Sequence, residues 1–202
     1  MKLIDDIIEM ASSDKEPIGN VLRKCLILES QYPNEPFRDW LDKELDGYTR
    51  EEDLPSYRKF NAISYGHFIG IAGRQLHEQP LSLHILEQAD YERMKFCPLP
   101  QPASSYEGRP DASADAQLPW NPALTTKYQS KFFKDSDFVL NRAWQSIPGS
   151  VIVSLLETVR NRILRFALDM KKSIGDQGTQ SIPTEQISGI VERHILKKTD
   201  WT

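Results

Sequence analysis

The sequence predicts an α+β fold, mainly α: N-terminal helices, a small antiparallel β element, and a long C-terminal amphipathic helix followed by a short terminal helix. Three observations predict it. Apolar residues recur at helical spacing up to about residue 47. The spacing becomes β-like in "YRKFNAISYGHFIGIAG", where aromatic and β-branched residues surround Gly66. Helical spacing returns over residues 149–174 and again after residue 184.

Three N-terminal helices are expected, in "MKLIDDIIEMA", "IGNVLRKCLILESQY" and "NEPFRDWLDKELDGY". The third has clear boundary signals. Asn34 can cap its start, Pro36 lies in its first turn, and Gly47 suits its C-terminal stop. On this helix we expect Phe37 and Trp40 to face the core, and both Lys43 and Glu44 to be exposed.

A proline-rich segment interrupts the pattern at residues 97–122, which hold six of the thirteen prolines. Because few apolar anchors lie here, we expect a long exposed loop, either a lid or an inserted linker. The predicted organisation is one domain over residues 1–174 that includes this loop. A flexible linker at 175–183 and a short helical appendage at 184–202 follow it.

After a candidate strand through Phe138, Leu140 and Trp144, residues 149–174 read as one long helix. Its main apolar face comprises Ile152, Leu155, Leu156, Val159, Ile163, Phe166 and Met170.

The arginines of the long helix lie at the flanks of that face, with Arg162 and Arg165 on one side and Arg160 on the other. Asp169 follows Arg165 at i+4, so an ion pair within the helix is expected. Leu164 and Leu168 form a second apolar strip, and a helix that is apolar on two sides needs two partners. Arg160, Arg162, Leu164, Arg165 and Leu168 are therefore the candidate interface. Two alternatives remain open for the arginines: they stabilise a core helix, or they bind nucleic acid or take part in catalysis.

Composition excludes several classes. The net charge of −4 gives no overall attraction to nucleic acid or anionic lipid, so nucleic-acid binding is possible but unsupported by charge. No stretch approaches the length of a transmembrane segment. The acidic opening "MKLIDDIIEMASSD" is unlike a secretory signal, and Cys25 and Cys97 form no paired motif. A cytoplasmic protein with reduced thiols is expected.

Known catalytic and cofactor signatures are missing from the sequence. It contains no HExxH, no glycine-rich nucleotide loop and no GxSxG elbow, so no metal and no cofactor are expected. Some helical ribonucleases carry an arginine followed several residues later by a histidine on one helix. Here Arg193 and His194 are adjacent, which separates their directions by about 100° in an α-helix.

The N-terminal part of the chain resembles the AbiTii domain of bacterial abortive-infection and phage-defence proteins. The resemblance lies in "LIDDII.MAS", "LRKCLIL", "W…KELDGY" and "LPSYR", taken in this order and at this spacing. The segment "SIPGSVIVSLLETVRNRILRFALDM" is similar to the closing helix of the family. The resemblance implies a role in phage defence, but it brings no catalytic residues with it.

Three functional hypotheses follow. The first is a non-enzymatic module that acts by self-assembly or by binding a defence-system partner. The second is a nuclease-like toxin, with Arg160, Arg162, Lys43 and Glu44 as its candidate residues. The third is a nucleic-acid-binding module, whose candidates are Tyr57, Phe60, Tyr65 and Phe68 beside Arg58, Lys59 and Arg74. Lys43, Glu44, Tyr57 and Arg58 together form a candidate functional surface.

Overall fold

A computed structural model describes residues 2–50, 53–108, 115–133, 136–177 and 183–197. Within these ranges the chain forms two compact units. Unit 1 combines the described residues of 1–58, 99–110 and 152–202, and unit 2 combines those of 59–98 and 111–151. Both units are therefore assembled from chain segments that lie far apart in sequence.

Unit 1 is helical, and its helices follow the predicted pattern closely. They are α1 (Lys2–Ala11), α2 (Ile18–Gln31), α3 (Glu35–Asp46), the greater part of α6 (Gly149–Gln177) and α7 (Thr184–Val191). Their apolar faces meet in one core, where Phe37 contacts Phe166 at a ring-centroid distance of 4.5 Å. The side chains of α7 that face this core, Ile187, Ile190 and Val191, are buried. After α7 the chain continues as a π-helical turn over Glu192–Leu196.

Helix α3 begins and ends as its sequence predicts. The Asn34 side chain accepts a hydrogen bond from the Phe37 amide at its start. At its end Gly47 adopts φ 94° and ψ 170°, a conformation almost restricted to glycine. A Cβ atom at this position would lie 2.9 Å from the Pro100 carbonyl oxygen. Gly47 therefore lets the chain turn where another backbone segment approaches closely.

Unit 2 contains two antiparallel sheets. The smaller pairs β1 (Lys59–Asn61) with β4 (Phe96–Pro98), and the larger has the order β3-β2-β6-β5. The larger sheet comprises β2 (Ile63–Gly70), β3 (Gln75–Pro80), β5 (Ala116–Pro119) and β6 (Phe138–Ile147). Helices α4 (Gln88–Met94) and α5 (Pro122–Phe132) complete the unit. The central pair is β2 and β6, whose register matches Tyr65 with Trp144 and Ile69 with Val139.

One face of the larger sheet forms the core of unit 2. The buried residues of this core are Phe68, Leu81, Trp120, Leu124, Tyr128, Leu140 and Ala143. Gly66 also lies on this face, and its Cβ position is only 2.6 Å from a Leu140 methyl carbon. Because side chains alternate along a strand, Tyr65, His67 and Ile69 of β2 point to the opposite face.

The expectation of a long exposed loop at 97–122 is wrong for many of its described residues, which are buried or belong to strands and helices. Leu99, Ala103 and Tyr106 are buried in unit 1, and Trp120 is buried in unit 2. Cys97 and Pro98 belong to β4, and β5 and the start of α5 also fall within this range. Proline is tolerated here because a position that only accepts a hydrogen bond needs no amide N–H: the Pro100 carbonyl oxygen accepts from the Tyr48 amide at 2.8 Å. Residues 109–114 lie outside the described chain.

Candidate functional site

Glu44 and Arg58 form a buried ion pair that the sequence expectation had placed on the surface. Both side chains have no exposed area, and Arg58 Nη2 donates to Glu44 Oε2 at 2.6 Å. Arg58 Nε also donates to Oε1, so the pair is bidentate. The Tyr48 and Tyr57 hydroxyls donate to the same Oε1 at 2.8 and 2.7 Å. We call Glu44, Tyr48, Tyr57 and Arg58 the Glu44 network.

The network also anchors the proline-rich segment. Arg58 Nη1 donates to the Leu99 and Gln101 carbonyl oxygens at 2.7 and 2.8 Å. Burial and the Glu44 carboxylate raise the pKa of the Tyr57 hydroxyl. The tyrosines therefore serve as protonated donors. The Glu44 carboxylate and the Arg58 guanidinium neutralise each other within the network.

Lys43 does not join the network, although it is the neighbour of Glu44 in sequence. Its ammonium group lies 2.8 Å from Asp39 in an i,i+4 pair on the solvent side of α3. The candidate surface of Lys43, Glu44, Tyr57 and Arg58 is thus corrected. Three of its members meet in the interior of unit 1, because a carboxylate on the apolar face of α3 requires a buried cation.

Arg160 and Arg162, predicted at an interface, are buried in unit 1. Arg160 donates to the Ser13 and Glu16 carbonyl oxygens at 3.1 and 2.7 Å, in the turn after α1. Arg160 therefore ties α6 to the N-terminal helices. Its guanidinium is not offered to an outside partner.

Arg162 holds the end of the C-terminal element. Its Nη1 donates to the His194 and Ile195 carbonyl oxygens, and its Nη2 donates to Lys197 O at 2.9 Å. These are carbonyls that a helix end leaves without an intrahelical partner. The guanidinium also lies over the Tyr57 ring, 4.7 Å from its centroid. Arg162 is thus a clamp for the π-helical turn.

The other members of the predicted interface remain at the surface. Leu168 is 48% exposed, Arg165 is exposed and Leu164 is half-buried. Asp169, expected to pair with Arg165, instead contacts two residues of the C-terminal turn. Leu164, Arg165 and Leu168 therefore form an exposed strip on α6.

A cluster that the sequence did not reveal joins α6 to the π-helical turn. Asp169 Oδ2 accepts from Arg193 Nη1 at 3.1 Å and lies 2.8 Å from His194 Nε2. The wider spacing of the π turn brings both side chains to one carboxylate. The His194 hydrogen bond, followed by the positive charges of His194 and Arg193, lowers the pKa of Asp169.

A pocket of about 400 Å³ lies beside this cluster. It is lined by Asp169, Lys172, Ser173, Gln186, Gly189, Ile190 and Arg193. Gln186 Nε2 donates to Ser173 Oγ at 3.0 Å across it. We call it the α6–α7 pocket. No sequence motif marks it, because its residues come from two helices and a turn that meet only in the folded unit.

The nucleic-acid candidates do not share one surface. Phe68 lies in the core of unit 2, Phe60 lies in the smaller sheet, and Tyr57 belongs to the Glu44 network. Lys59 is in β1 beside Phe60, and Arg58 is buried. Arg74 is exposed after the β2–β3 turn, with its guanidinium 5.2 Å from the centre of the Phe138 ring.

Tyr65 alone of the aromatic candidates lies on the outer face of the larger sheet. There it stacks on Trp144, and Arg142 lies 5.0 Å from the Trp144 centroid. His67 packs edge-on against His77 at 4.3 Å. Burial, His77 and Arg142 lower the pKa of His67, so its neutral form is favoured.

Across the part of the chain that the structure describes, no group of three or more histidine, cysteine or acidic residues could hold a metal ion. Burial raises the pKa of the Cys25 thiol, and it raises that of Cys97 to about 11. Both thiols are therefore protonated and unreactive at neutral pH. Of the described helices, none combines the length and apolarity needed to cross a membrane.

Comparison with known proteins identifies the family. No curated protein and no solved structure gives a significant match to the chain. A family model described as AbiTii matches residues 2–195, which include α7 and most of the π-helical turn. This match places the protein among those of abortive infection, the defence by which an infected cell stops phage propagation. The chain belongs to the AbiTii family.

Proposed function

We propose that this AbiTii chain serves in abortive infection as a non-enzymatic module that assembles with a second copy or with a protein partner of the defence system. The charged side chains that the sequence offered for catalysis hold other parts of unit 1. Glu44 and Arg58 neutralise each other in the interior, while Arg160 and Arg162 bind backbone carbonyls. These residues are unavailable for chemistry on a substrate.

The observation that carries the proposal is a group of exposed aliphatic side chains at one end of the larger sheet. Ile69, Ile71 and Val139 are 39%, 64% and 56% exposed. Ile69 and Val139 are register partners on neighbouring strands and so lie on the same face. We call these three residues the sheet tip. A cluster of exposed β-branched residues is typical of a surface that another protein covers.

The exposed strip of α6 is a second candidate contact. Leu168 is exposed on a helix whose remaining apolar face is packed, and Leu164 and Arg165 adjoin it on the helix surface. Leucine and arginine together suit a protein interface, since the arginine stem packs while its charge remains hydrated.

Light scattering of the purified chain, combined with phage challenge of cells that express it, tests the proposal. Ile69→Thr with Val139→Thr keeps β-propensity and shape while it removes apolar contact. Ile63→Thr, at an exposed position near the start of the same strand, is the matched control. Loss of the assembled mass and of protection in the double variant, but not in the control, supports self-assembly.

The other outcomes separate the alternatives. Loss of protection from a chain that is monomeric throughout points to a protein partner. Full protection by the double variant excludes the sheet tip. Leu168→Gln tests the α6 strip in the same assays, and Val153→Thr, exposed on the same helix, is its control.

Nucleic-acid binding is the second candidate, favoured by the outer face of the larger sheet. Tyr65 is half-buried there and Arg142 is exposed, although Trp144 is buried beneath them. Fluorescence anisotropy with labelled single-stranded RNA and DNA tests it. Binding that weakens with salt and is lost in Arg142→Gln supports this candidate, and absent or salt-independent binding rules it out.

A further inference from the structure

We propose that the α6–α7 pocket binds a phosphorylated small molecule, with Lys172 and Arg193 as the ligands of its phosphate. The pocket lies within unit 1 and includes no residue of the sheet tip or of the α6 strip. This proposal is therefore independent of the assembly function. The volume of the pocket, about 400 Å³, falls within the range of about 300–1,000 Å³ typical of small-molecule sites.

The charge balance of the pocket favours an anion. Lys172 and Arg193 contribute two cations, and Asp169 is the one carboxylate among the lining residues. That carboxylate accepts a hydrogen bond from Arg193 and lies 2.8 Å from His194 Nε2. The two cations and one carboxylate leave the lining with a net charge of +1, which favours an anion.

Arg193 is positioned by a weak ion pair that a ligand can replace. Its side chain is 66% exposed, so solvent screens its pair with Asp169 and the pair is easily exchanged. The guanidinium has five N–H donors, and its fork matches a phosphate as well as a carboxylate. Arg162 binds backbone carbonyls of the π-helical turn, which restricts the positions that the Arg193 side chain can reach.

The remaining lining residues suit the uncharged part of such a ligand. Gln186 and Ser173 offer an amide and a hydroxyl, and Ile190 supplies a buried apolar surface. A few polar groups on a partly apolar wall are typical of a specific small-molecule site. A phosphate at one end and a polar ring or sugar at the other would satisfy both parts of the pocket.

Gly189 gives the independent argument. It lies inside α7, where glycine stabilises a helix less than alanine does. The packing does not require it, since a Cβ atom at this position would meet nothing within 4 Å and the backbone φ is not positive. The effect of glycine here is to leave the pocket open. A glycine that lowers helix stability without a packing reason is expected where a ligand occupies the space beside it.

Isothermal titration calorimetry with the full chain tests the proposal. The probes are inorganic phosphate, adenosine monophosphate and glucose 6-phosphate, with adenosine as the uncharged comparison. We expect saturable binding of at least one phosphorylated probe and no binding of adenosine. A nucleotide that binds more tightly than phosphate or the sugar phosphate identifies a nucleotide site, and equal affinities identify a site for phosphate itself.

Variants assign any binding to this pocket. Arg193→Gln and Lys172→Gln should each weaken it by about tenfold or more, the usual effect of losing one charge-assisted hydrogen bond. Lys15→Gln, which removes an exposed charge outside the pocket lining, is the matched control. Gly189→Leu should abolish binding by filling the pocket, and Gly189→Ala should weaken it, because the added methyl group occupies space that the ligand uses.

Thermal unfolding separates a blocked pocket from a misfolded chain. Both glycine variants should melt at or above the temperature of the wild type, because the site has room for a side chain. Binding that persists unchanged in Gly189→Leu and Arg193→Gln overturns the proposal. So does the absence of binding of every phosphorylated probe at millimolar concentration, and so does adenosine binding equal to that of adenosine monophosphate.

Discussion

At the scale of single residues, Glu44 shows how a charge becomes part of a core. Phe37, Trp40, Leu41 and Glu44 occur at the spacing of one helical face, and all four are buried. The acid at the end of this series is the signal that could have revealed its burial from sequence. Its cation, Arg58, lies outside α3, so the partner could not be identified from helical periodicity.

Glu44→Gln should lower the free energy of unfolding by about 3 to 5 kcal/mol, because it leaves the buried Arg58 guanidinium without a counter-charge. Lys43→Gln, one position earlier, removes a solvent-side pair and should cost no more than about 0.5 kcal/mol. Urea unfolding followed by circular dichroism measures both. Similar losses for the two variants would mean that the Glu44 pair is hydrated.

Asp169→Asn should remove a pH-dependent contribution to stability of about 0.5 to 1 kcal/mol. The pKa of Asp169 is lowered below its ordinary value of 3.8, so the folded state favours the carboxylate. The contribution is present above that value and is lost as the pH falls through the lower, folded-state pKa. The difference between wild type and variant should therefore be full at pH 6 and should shrink as the pH falls below 3.8.

Chemical unfolding at several pH values measures this difference. Asp39→Asn removes an exposed carboxylate that is paired with Lys43, and it is the matched surface control. A wild-type advantage that is equally large at pH 6 and at pH 2 would show that the carboxylate does not hold the C-terminal turn.

At the scale of elements, two glycines near helix ends should respond in opposite ways to alanine. Gly47→Ala should cost about 1 to 3 kcal/mol, because φ 94° strains any side chain and the Pro100 carbonyl leaves no room. Gly189→Ala should add up to about 1 kcal/mol, since it improves helix propensity in open space. Thermal unfolding of the pair gives the signs. A stabilising Gly47→Ala would disprove the close approach of residue 100 to the end of α3.

The elements that the sequence predicted carry local signals. Helix α3 has its asparagine cap and terminal glycine, and α6 has a continuous apolar face. Strand β3 has no such pattern, because all six of its residues are exposed at the edge of the sheet. Helix α5 is polar, and its start at Asn121 and Pro122 is the signal that the sequence does offer.

The candidate sites were harder to predict than the elements. Arg162 and Asp169 lie two helical turns apart on α6, and both act on a turn some 25 to 35 positions further along the chain. The adjacent Arg193 and His194 were expected to diverge, as they would in an α-helix. The π-helical geometry that unites them depends on tertiary contacts, which residue spacing alone does not encode.

At the scale of the whole molecule, removal of residues from Thr184 onward should prevent unit 1 from folding cooperatively. Ile187, Ile190, Val191 and Ile195 would be lost from the core, and burying each such side chain contributes about 1.5 to 3 kcal/mol. Their sum is comparable with the whole stability of a domain, about 5 to 15 kcal/mol. Near-ultraviolet circular dichroism and the urea transition measure the effect. A cooperative transition at the wild-type midpoint would show that α7 docks without contributing to the core.

The contact between Arg58 and Leu99 also bears on the order in which the chain folds. These residues are 41 positions apart, and the β1–β4 ladder directly adjoins them, pairing Lys59 with Pro98. Bringing these two residues together closes a loop, which costs conformational entropy. Without the ladder, this cost falls on the contacts of unit 1 alone. We expect β1 to pair with β4 early in folding. This pairing would bring the start of the proline-rich segment close to Arg58 before the two form their contact. Variants that weaken this ladder should then slow the formation of a helical core in which neither strand takes part.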